Sequence, residues 1–149
     1  MGFPPLVYWR PIMQRARILI LDDDDDRLEN RAWLFIKEGF RVTGVRTGFE
    51  ALRDMAVERP DLVVVNVDAG SMALNGRDVV ERMAQDENLC AIPTIVMSAN
   101  VAHPWQLPAN MITLLNSCSH MQLLVAAERL LSLPQVLDVG EADADLSRH

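Results

Sequence analysis

Cysteine and long hydrophobic runs are both scarce in this chain, and each absence excludes a class of protein. Only two of the 149 residues are cysteines. Cys90 and Cys118 match no metal-binding spacing, so we expect two reduced thiols in a cytoplasmic protein. No apolar stretch approaches the roughly 20 residues that span a bilayer. Pro4 and Pro5 interrupt the apolar N-terminus, which argues against a signal peptide.

Positive charge is scarce as well. The chain has 14 Lys and Arg residues against 21 Asp and Glu residues, a net charge of −7, and such a surface repels the phosphates of nucleic acids. Its length suits one domain with its own core. We predict this domain over residues 15–133, between an N-terminal extension (1–14) and an acidic C-terminal tail (134–149). Met13 is a second candidate start residue, which leaves the translation of residues 1–12 open.

Apolar runs and amphipathic segments alternate along the chain and predict an α/β fold. The predicted strands are 17–21, 41–45, 62–67, 94–97 and 111–115, and the predicted helices are 27–38, 47–58, 77–85 and 120–131. Strands separated by helices form parallel sheets with helices on both faces. Right-handed crossovers then favour a flavodoxin-like, doubly wound sheet of five strands in the order 2-1-3-4-5. Pro104 and Pro108 disfavour a long helix between the last two strands, so helix 4 should be short or degenerate.

The first predicted helix follows a run of aspartates. One of the aspartates in the run Asp24–Asp26 is expected to cap its N-terminus, and Gly39 is expected to end it. The candidates for its buried face are Leu28, Trp33, Leu34 and Ile36.

Strands one and three end in polar residues that the predicted winding brings into one crevice. Asp22 and Asp23 follow strand one, and Asn66 and Asp68 lie at the tip of strand three. In this fold class, ligands bind at the carboxyl ends of the strands.

Four segments, in this order along the chain, resemble the receiver domains of response regulators. They are residues 18–24 with the acidic pair, residues 59–65 as strand three, Asn75-Gly76 at the start of the third helix, and residues 92–99 as strand four. The resemblance covers roughly residues 15–133 and implies a role in two-component, phosphorelay-type signal transduction. It also implies that Asp22 and Asp23 are the acidic pocket and that Ser98 is the switch hydroxyl. Because Mg²⁺ prefers oxygen ligands, the resemblance makes Asp23, Asp22, Asn66 and Asp68 the candidate ligands of a weak Mg²⁺ site.

The chain departs from the family pattern at two positions that carry its phosphate chemistry. Asn66 lies where the resemblance places the acceptor aspartate, and Asn116 lies where it places a lysine. No lysine follows Lys37. An amide is a poor nucleophile and cannot form an acyl phosphate, and without the lysine strand five offers no cation for a phosphoryl group. These departures are typical of a receiver domain without phosphotransfer.

We therefore expect an atypical, stand-alone receiver domain that is phosphorylation-independent and acts through protein–protein interaction rather than as an enzyme. Its partner would be a histidine kinase, another regulator or a second copy of itself in a homodimer. Trp105, beside Pro104, is the candidate anchor for such a partner, since aromatic residues dominate interface energetics. No output domain is expected after the last helix.

Two alternatives stay open. In the first, Asp68 is the phosphoryl acceptor with Mg²⁺, because a residue two positions beyond Asn66 on a strand faces the same way. In the second, which belongs to another class, the crevice of a flavodoxin-like protein binds a small molecule. The second lacks a glycine-rich phosphate loop after strand one, where aspartates would repel a phosphate.

Overall fold

The computed structural model describes residues 15–70, 74–100 and 107–132. Its strands are β1 (Arg17–Leu21), β2 (Arg41–Val45), β3 (Leu62–Asn66), β4 (Thr94–Ser98) and β5 (Met111–Leu115). Its helices are α1 (Asp25–Lys37), α2 (Gly48–Val57), α3 (Gly76–Gln85) and α4 (His120–Ser132). These bounds confirm the predicted alternation, and the ends differ from the predicted ones by no more than two residues.

The five strands form one parallel sheet in the order β2-β1-β3-β4-β5, as predicted. The register pairs Leu21 with Val65, Asn66 with Met97 and Ser98 with Leu115. Because all strands run the same way, the residues that follow β1, β3, β4 and β5 meet at one edge of the sheet. We call this the carboxyl edge.

Helices cover both faces of the sheet, and the side chains of each strand alternate between two core clusters. On one face Leu19, Val63 and Val65 pack with residues of α2 and α3, and on the other Ile18 and Val64 pack with residues of α1 and α4. Both faces are therefore buried, which explains why the central strands are almost continuously aliphatic.

Helix α1 begins and ends at predicted residues. Asp24, in the aspartate run predicted to cap the helix, is the N-cap, and its carboxylate accepts a hydrogen bond from the Arg27 amide at 3.0 Å. Gly39 follows the helix with φ of 91°, which confirms it as the predicted stop. This left-handed conformation has little steric cost for glycine.

Two residues predicted for the buried face of α1 are on its surface. Trp33 is 56% exposed and Ile36 is 44% exposed, whereas Phe35 is fully buried. The buried stripe contains Arg31, Leu34 and Phe35, which are three and four residues apart as one helix face requires. The prediction is confirmed for Leu34, which is buried, and for Leu28, which packs against the core. It was wrong for Trp33 and Ile36, because they lie off the stripe that Arg31 shares with Leu34.

Glycine is required at the start of α3. A Cβ atom added to Gly76 would lie 1.9 Å from the carbonyl oxygen of Asn66. Asn75 caps this helix by accepting a hydrogen bond from the Asp78 amide at 2.9 Å. The resemblance of Asn75-Gly76 to the family's helix start therefore has a steric reason, because the helix begins directly against the end of β3.

Three predictions concern segments outside the described residues. They are the extension (1–14), the tail (134–149), and the short fourth helix with the Trp105 anchor, which would fall on residues 101–106. Within the described ranges, no helix has both the length and the apolar character needed to cross a membrane.

Candidate functional site

Asp22 is the centre of the carboxyl edge. It follows β1 and is fully buried, with 0% of its surface exposed. Its amide donates to the carbonyl of Val45 at 3.1 Å, and its Oδ1 accepts from the amide of Asp24 at 2.9 Å. A buried carboxylate is costly unless it is paired with a cation and hydrogen-bonded, so its other partners decide what the site can do.

Two arginines of α1 supply the positive charge. Arg27 binds both carboxylate oxygens of Asp22, with Nε 2.9 Å from Oδ2 and Nη2 3.2 Å from Oδ1. Arg31 donates a further hydrogen bond from its Nη1 to Oδ2 of Asp22, at 3.0 Å. The two arginines are four residues apart and thus lie on the same face of the helix. We call this arrangement of Arg27 and Arg31 on Asp22 the arginine clamp.

The two guanidinium groups differ in their surroundings. The hydrogen bond to Asp22 raises the pKa of Arg27, which is partly exposed. Burial lowers the pKa of Arg31, and the charge of Asp22 opposes that effect. Arginine has so high an ordinary pKa that both groups stay charged at neutral pH. The clamp therefore contributes two positive charges to one buried carboxylate.

Asn66 is fully buried beside Asp22, at the end of β3. Its Nδ2 donates to Asp22 Oδ1 at 3.3 Å, and its Oδ1 accepts from the amide of Asp68 at 3.0 Å. The amide nitrogen of Asn66 thus has an acceptor, and its amide oxygen has a donor. A carboxylate at this position would turn the contact with Asp22 from a hydrogen bond into a repulsion between like charges.

Asp23 and Asp68 are exposed, unlike Asp22. Asp23 accepts a hydrogen bond from the amide of Gly70 at 2.9 Å. β3 ends at Asn66 and a turn follows, closed by a bond from the Ala69 amide to the Asn66 carbonyl at 3.0 Å. The assumption that Asp68 extends the strand and faces the same way as Asn66 is therefore wrong.

Ser98 and Asn116 complete the carboxyl edge at the ends of β4 and β5. The Ser98 hydroxyl is buried and donates to the carbonyl of Asn100 at 2.7 Å. The amide of Asn116 donates to the Ser98 carbonyl at 2.7 Å. The Asn116 side-chain oxygen accepts from Arg31 Nη2 at 3.2 Å. The position that the resemblance assigns to a lysine is thus bound to an arginine of α1.

Sequence reasoning brought Asp22, Asn66, Ser98 and Asn116 to one edge but missed Arg27 and Arg31. It looked for a cation on strand five only. The available signal was the spacing of two arginines one helical turn apart, directly after the aspartates that end strand one.

The residues of this edge, as arranged, do not fit a Mg²⁺ ion. Both oxygens of Asp22 already accept from guanidinium groups, and a dication would meet two positive charges there. In the described part of the chain, no group of three or more His, Cys, Asp or Glu side chains is placed to hold a metal. Of the four predicted ligands, Asp22 and Asn66 are buried, whereas Asp23 and Asp68 are exposed.

The cavity beside the clamp is small. It measures about 90 Å³ and is lined by Arg31, Asn116, Cys118 and neighbouring residues. Ligand pockets for cofactors and drug-sized molecules generally enclose roughly 300–1,000 Å³. This cavity therefore gives little room for the small-molecule binder considered as an alternative.

Comparisons with known proteins agree with the fold. A family model described as the response regulator receiver domain matches residues 18–112. The transcriptional regulatory protein PrrA of Mycobacterium leprae is 34% identical over 83 residues, which cover 56% of this chain and 34% of PrrA. Protein PilH of Pseudomonas aeruginosa is 29% identical over 83 residues, which cover 56% of this chain and 67% of PilH.

A solved structure gives the same result. The signal receiver domain of a signal transduction histidine kinase from Syntrophus aciditrophicus has a TM-score of 0.69 and 25% identity, covering 78% of this chain and 90% of that one. The chain spans about a third of the length of PrrA. Receiver domains are in general non-enzymatic modules that interact with histidine kinases and regulators. Since the family model matches more than half of the residues, this chain belongs to the response regulator receiver domain family of two-component signalling.

Proposed function

We propose that this receiver domain works without being phosphorylated and signals by binding a protein partner. The observation that carries the proposal is the buried amide of Asn66, 3.3 Å from Asp22. The resemblance gives this position to the acceptor aspartate. An amide nitrogen has no free lone pair with which to attack a phosphoryl group. Its carbonyl oxygen is already hydrogen-bonded to the backbone.

The rest of the carboxyl edge supports the same proposal. Asn116, where the resemblance places a lysine, is bound to Arg31, and the Ser98 hydroxyl is bound to the backbone of Asn100. The clamp occupies Asp22, one of the two carboxylates that the resemblance assigns to the acidic pocket. Each group that the family's chemistry would use is therefore absent or has a different partner.

The partner is a protein in this proposal, and the setting is the cytoplasm. The relatives are a transcriptional regulatory protein and PilH, and a histidine kinase contains a similar receiver domain. A kinase, another regulator or a second copy of this chain would each be a suitable partner. Trp105 remains the proposed anchor.

Acetyl phosphate with Mg²⁺ tests the first half of the proposal. We expect the intact mass of the protein to stay unchanged, while a receiver domain with an acceptor aspartate gains one phosphoryl group under the same conditions. A phosphoryl gain that disappears in Asp68→Asn would overturn the proposal and establish the Asp68 alternative. The exposure of Asp68 favours that alternative, and the absence of a cation beside it in the described contacts argues against it.

Partner binding tests the second half. Proteins captured by the tagged chain from its source cells should be the same with and without acetyl phosphate, and Trp105→Ala should weaken their capture. A phenylalanine at position 105 is the matched control, because it keeps an aromatic ring. Capture that requires the phosphodonor would contradict the proposal.

A further inference from the structure

The hydrogen-bonding capacity of Asp22 is already filled. Its two oxygens accept from Arg27 Nε and Nη2, from Arg31 Nη1, from Asn66 Nδ2 and from the Asp24 amide, at distances between 2.9 and 3.3 Å. A carboxylate offers roughly four lone-pair sites. Five donors therefore leave no vacant direction from which an ion could approach.

The charge at this site is also balanced from within the chain. Arg31 is 5% exposed and lies inside the domain, so its guanidinium is permanent in the folded state. Its second contact, to Asn116, holds it against β5. Arg27 approaches from the solvent side and binds the same carboxylate through both oxygens. Bidentate contacts of this kind are the strongest that arginine makes with a carboxylate.

We propose that Arg27 and Arg31 act as a built-in replacement for a divalent cation at Asp22, so that this carboxylate neither binds nor needs a metal. Because the arginines already occupy Asp22, the net charge around this carboxylate should be the same at all Mg²⁺ concentrations. The inference concerns only the oxygens of Asp22. Its test measures metal binding, so its outcome is read separately from whether the domain is phosphorylated.

The consequence can be tested by freeing those oxygens. Glutamine in place of arginine removes the charge and keeps a polar side chain. In Arg27→Gln with Arg31→Gln, Asp22 regains open lone pairs beside the exposed carboxylate of Asp23. Oxygen ligands of this kind are suited to Mg²⁺ and Mn²⁺.

The experiment is a Mn²⁺ titration of the full chain, followed by electron paramagnetic resonance of free Mn²⁺ and by calorimetry. We expect no saturable binding to the wild-type chain. We expect one saturable site in the double variant, with at least tenfold tighter binding than any residual wild-type binding. Asp22→Asn added to the double variant should abolish the site.

Arg53→Gln is the control variant for Arg27→Gln, because it removes one positive charge at an exposed position on α2. It should bind no more Mn²⁺ than the wild type does. Arg27→Gln alone guards against loss of folding, since Arg27 is partly exposed, and it should already show weak binding. Circular dichroism checks that each variant is folded.

Two results would overturn the inference. One is saturable Mn²⁺ binding to the wild-type chain that Asp22→Asn removes, which would show that an ion displaces the arginines. The other is a folded Arg27→Gln or double variant that takes up no more Mn²⁺ than Arg53→Gln.

Discussion

Asn66→Asp introduces an aspartate where the resemblance places the family's acceptor, and it should destabilise this domain in a way that depends on pH. In the wild type, Asn66 Nδ2 donates to Asp22 Oδ1 at 3.3 Å. Two ionised carboxylates at that separation repel by about 5 kcal/mol at an effective dielectric constant near 20. Arg27 and Arg31 lie close to the same point and reduce this repulsion.

Protonation sets an upper limit on the loss. If the new carboxyl group keeps its proton, it can donate to Asp22 as the amide does, and the cost is that of raising its pKa above the ordinary value near 3.9. At about 1.4 kcal/mol per pH unit, this cost reaches about 4 kcal/mol at pH 7. We therefore expect Asn66→Asp to lower the free energy of unfolding by about 2–4 kcal/mol at pH 7.

The sign of the pH dependence follows from the same argument. The folded variant holds a proton that the unfolded chain releases above pH 4, so its stability relative to the wild type falls as the pH rises towards the folded-state pKa. Urea denaturation of both proteins at pH 5 and pH 7.5 measures the difference. The gap should widen by about 2 kcal/mol between the two pH values.

Asn88→Asp provides the control, because Asn88 is an exposed asparagine outside the carboxyl edge. It should change stability little at either pH. A gap between Asn66→Asp and wild type that is small at pH 7.5, or that does not change with pH, would refute the placement of Asn66 against a buried carboxylate.

Three further changes follow from the contacts described above, and chemical denaturation measures each. Gly76→Ala should lower the free energy of unfolding by about 3 kcal/mol or more, because its Cβ would overlap the Asn66 carbonyl. A variant as stable as the wild type would contradict the close approach of α3 to β3. Arg31→Met should cost about 3 kcal/mol, since it leaves Asp22 buried with one guanidinium; Arg77→Met, at an exposed arginine on α3, should cost far less. The backbone hydrogen bond from Arg27 lowers the pKa of Asp24. The ionised Asp24 carboxylate therefore stabilises the fold above the ordinary Asp pKa, and this stabilisation is lost as the pH falls through the folded-state pKa. Asp24→Asn should remove it. Its stability relative to wild type should therefore improve in acid, and a constant difference would contradict the cap.

The fold could be predicted from the sequence because its signals are local and repeated. Each strand is an aliphatic run, and each helix begins or ends at a residue such as Thr47, Asn75 or Gly39 that caps or stops it. The order of the strands then follows from the handedness of parallel crossovers. The residue pattern of each element and the handedness of the crossovers can both be used without knowing any side-chain contact.

The site was predicted only in part, because its chemistry depends on which way side chains point. Asp22 and Asn66 were placed together by their positions at strand ends. The burial of Arg31 could not be predicted from hydrophobicity, since arginine is usually exposed. The turn after Asn66 was missed because it is fixed by distant contacts, including the bond from the Gly76 amide to the Ala69 carbonyl at 2.8 Å.

The most direct test of the central claim is phosphoryl transfer from a purified, autophosphorylated histidine kinase. The receiver chain is mixed with radiolabelled kinase and Mg²⁺, and the label on each protein is followed over time, with a phosphorylatable receiver as the positive control. The account predicts that the label leaves the kinase for the control receiver and never appears on this chain. Acid-labile label on this chain, at any residue, would contradict it.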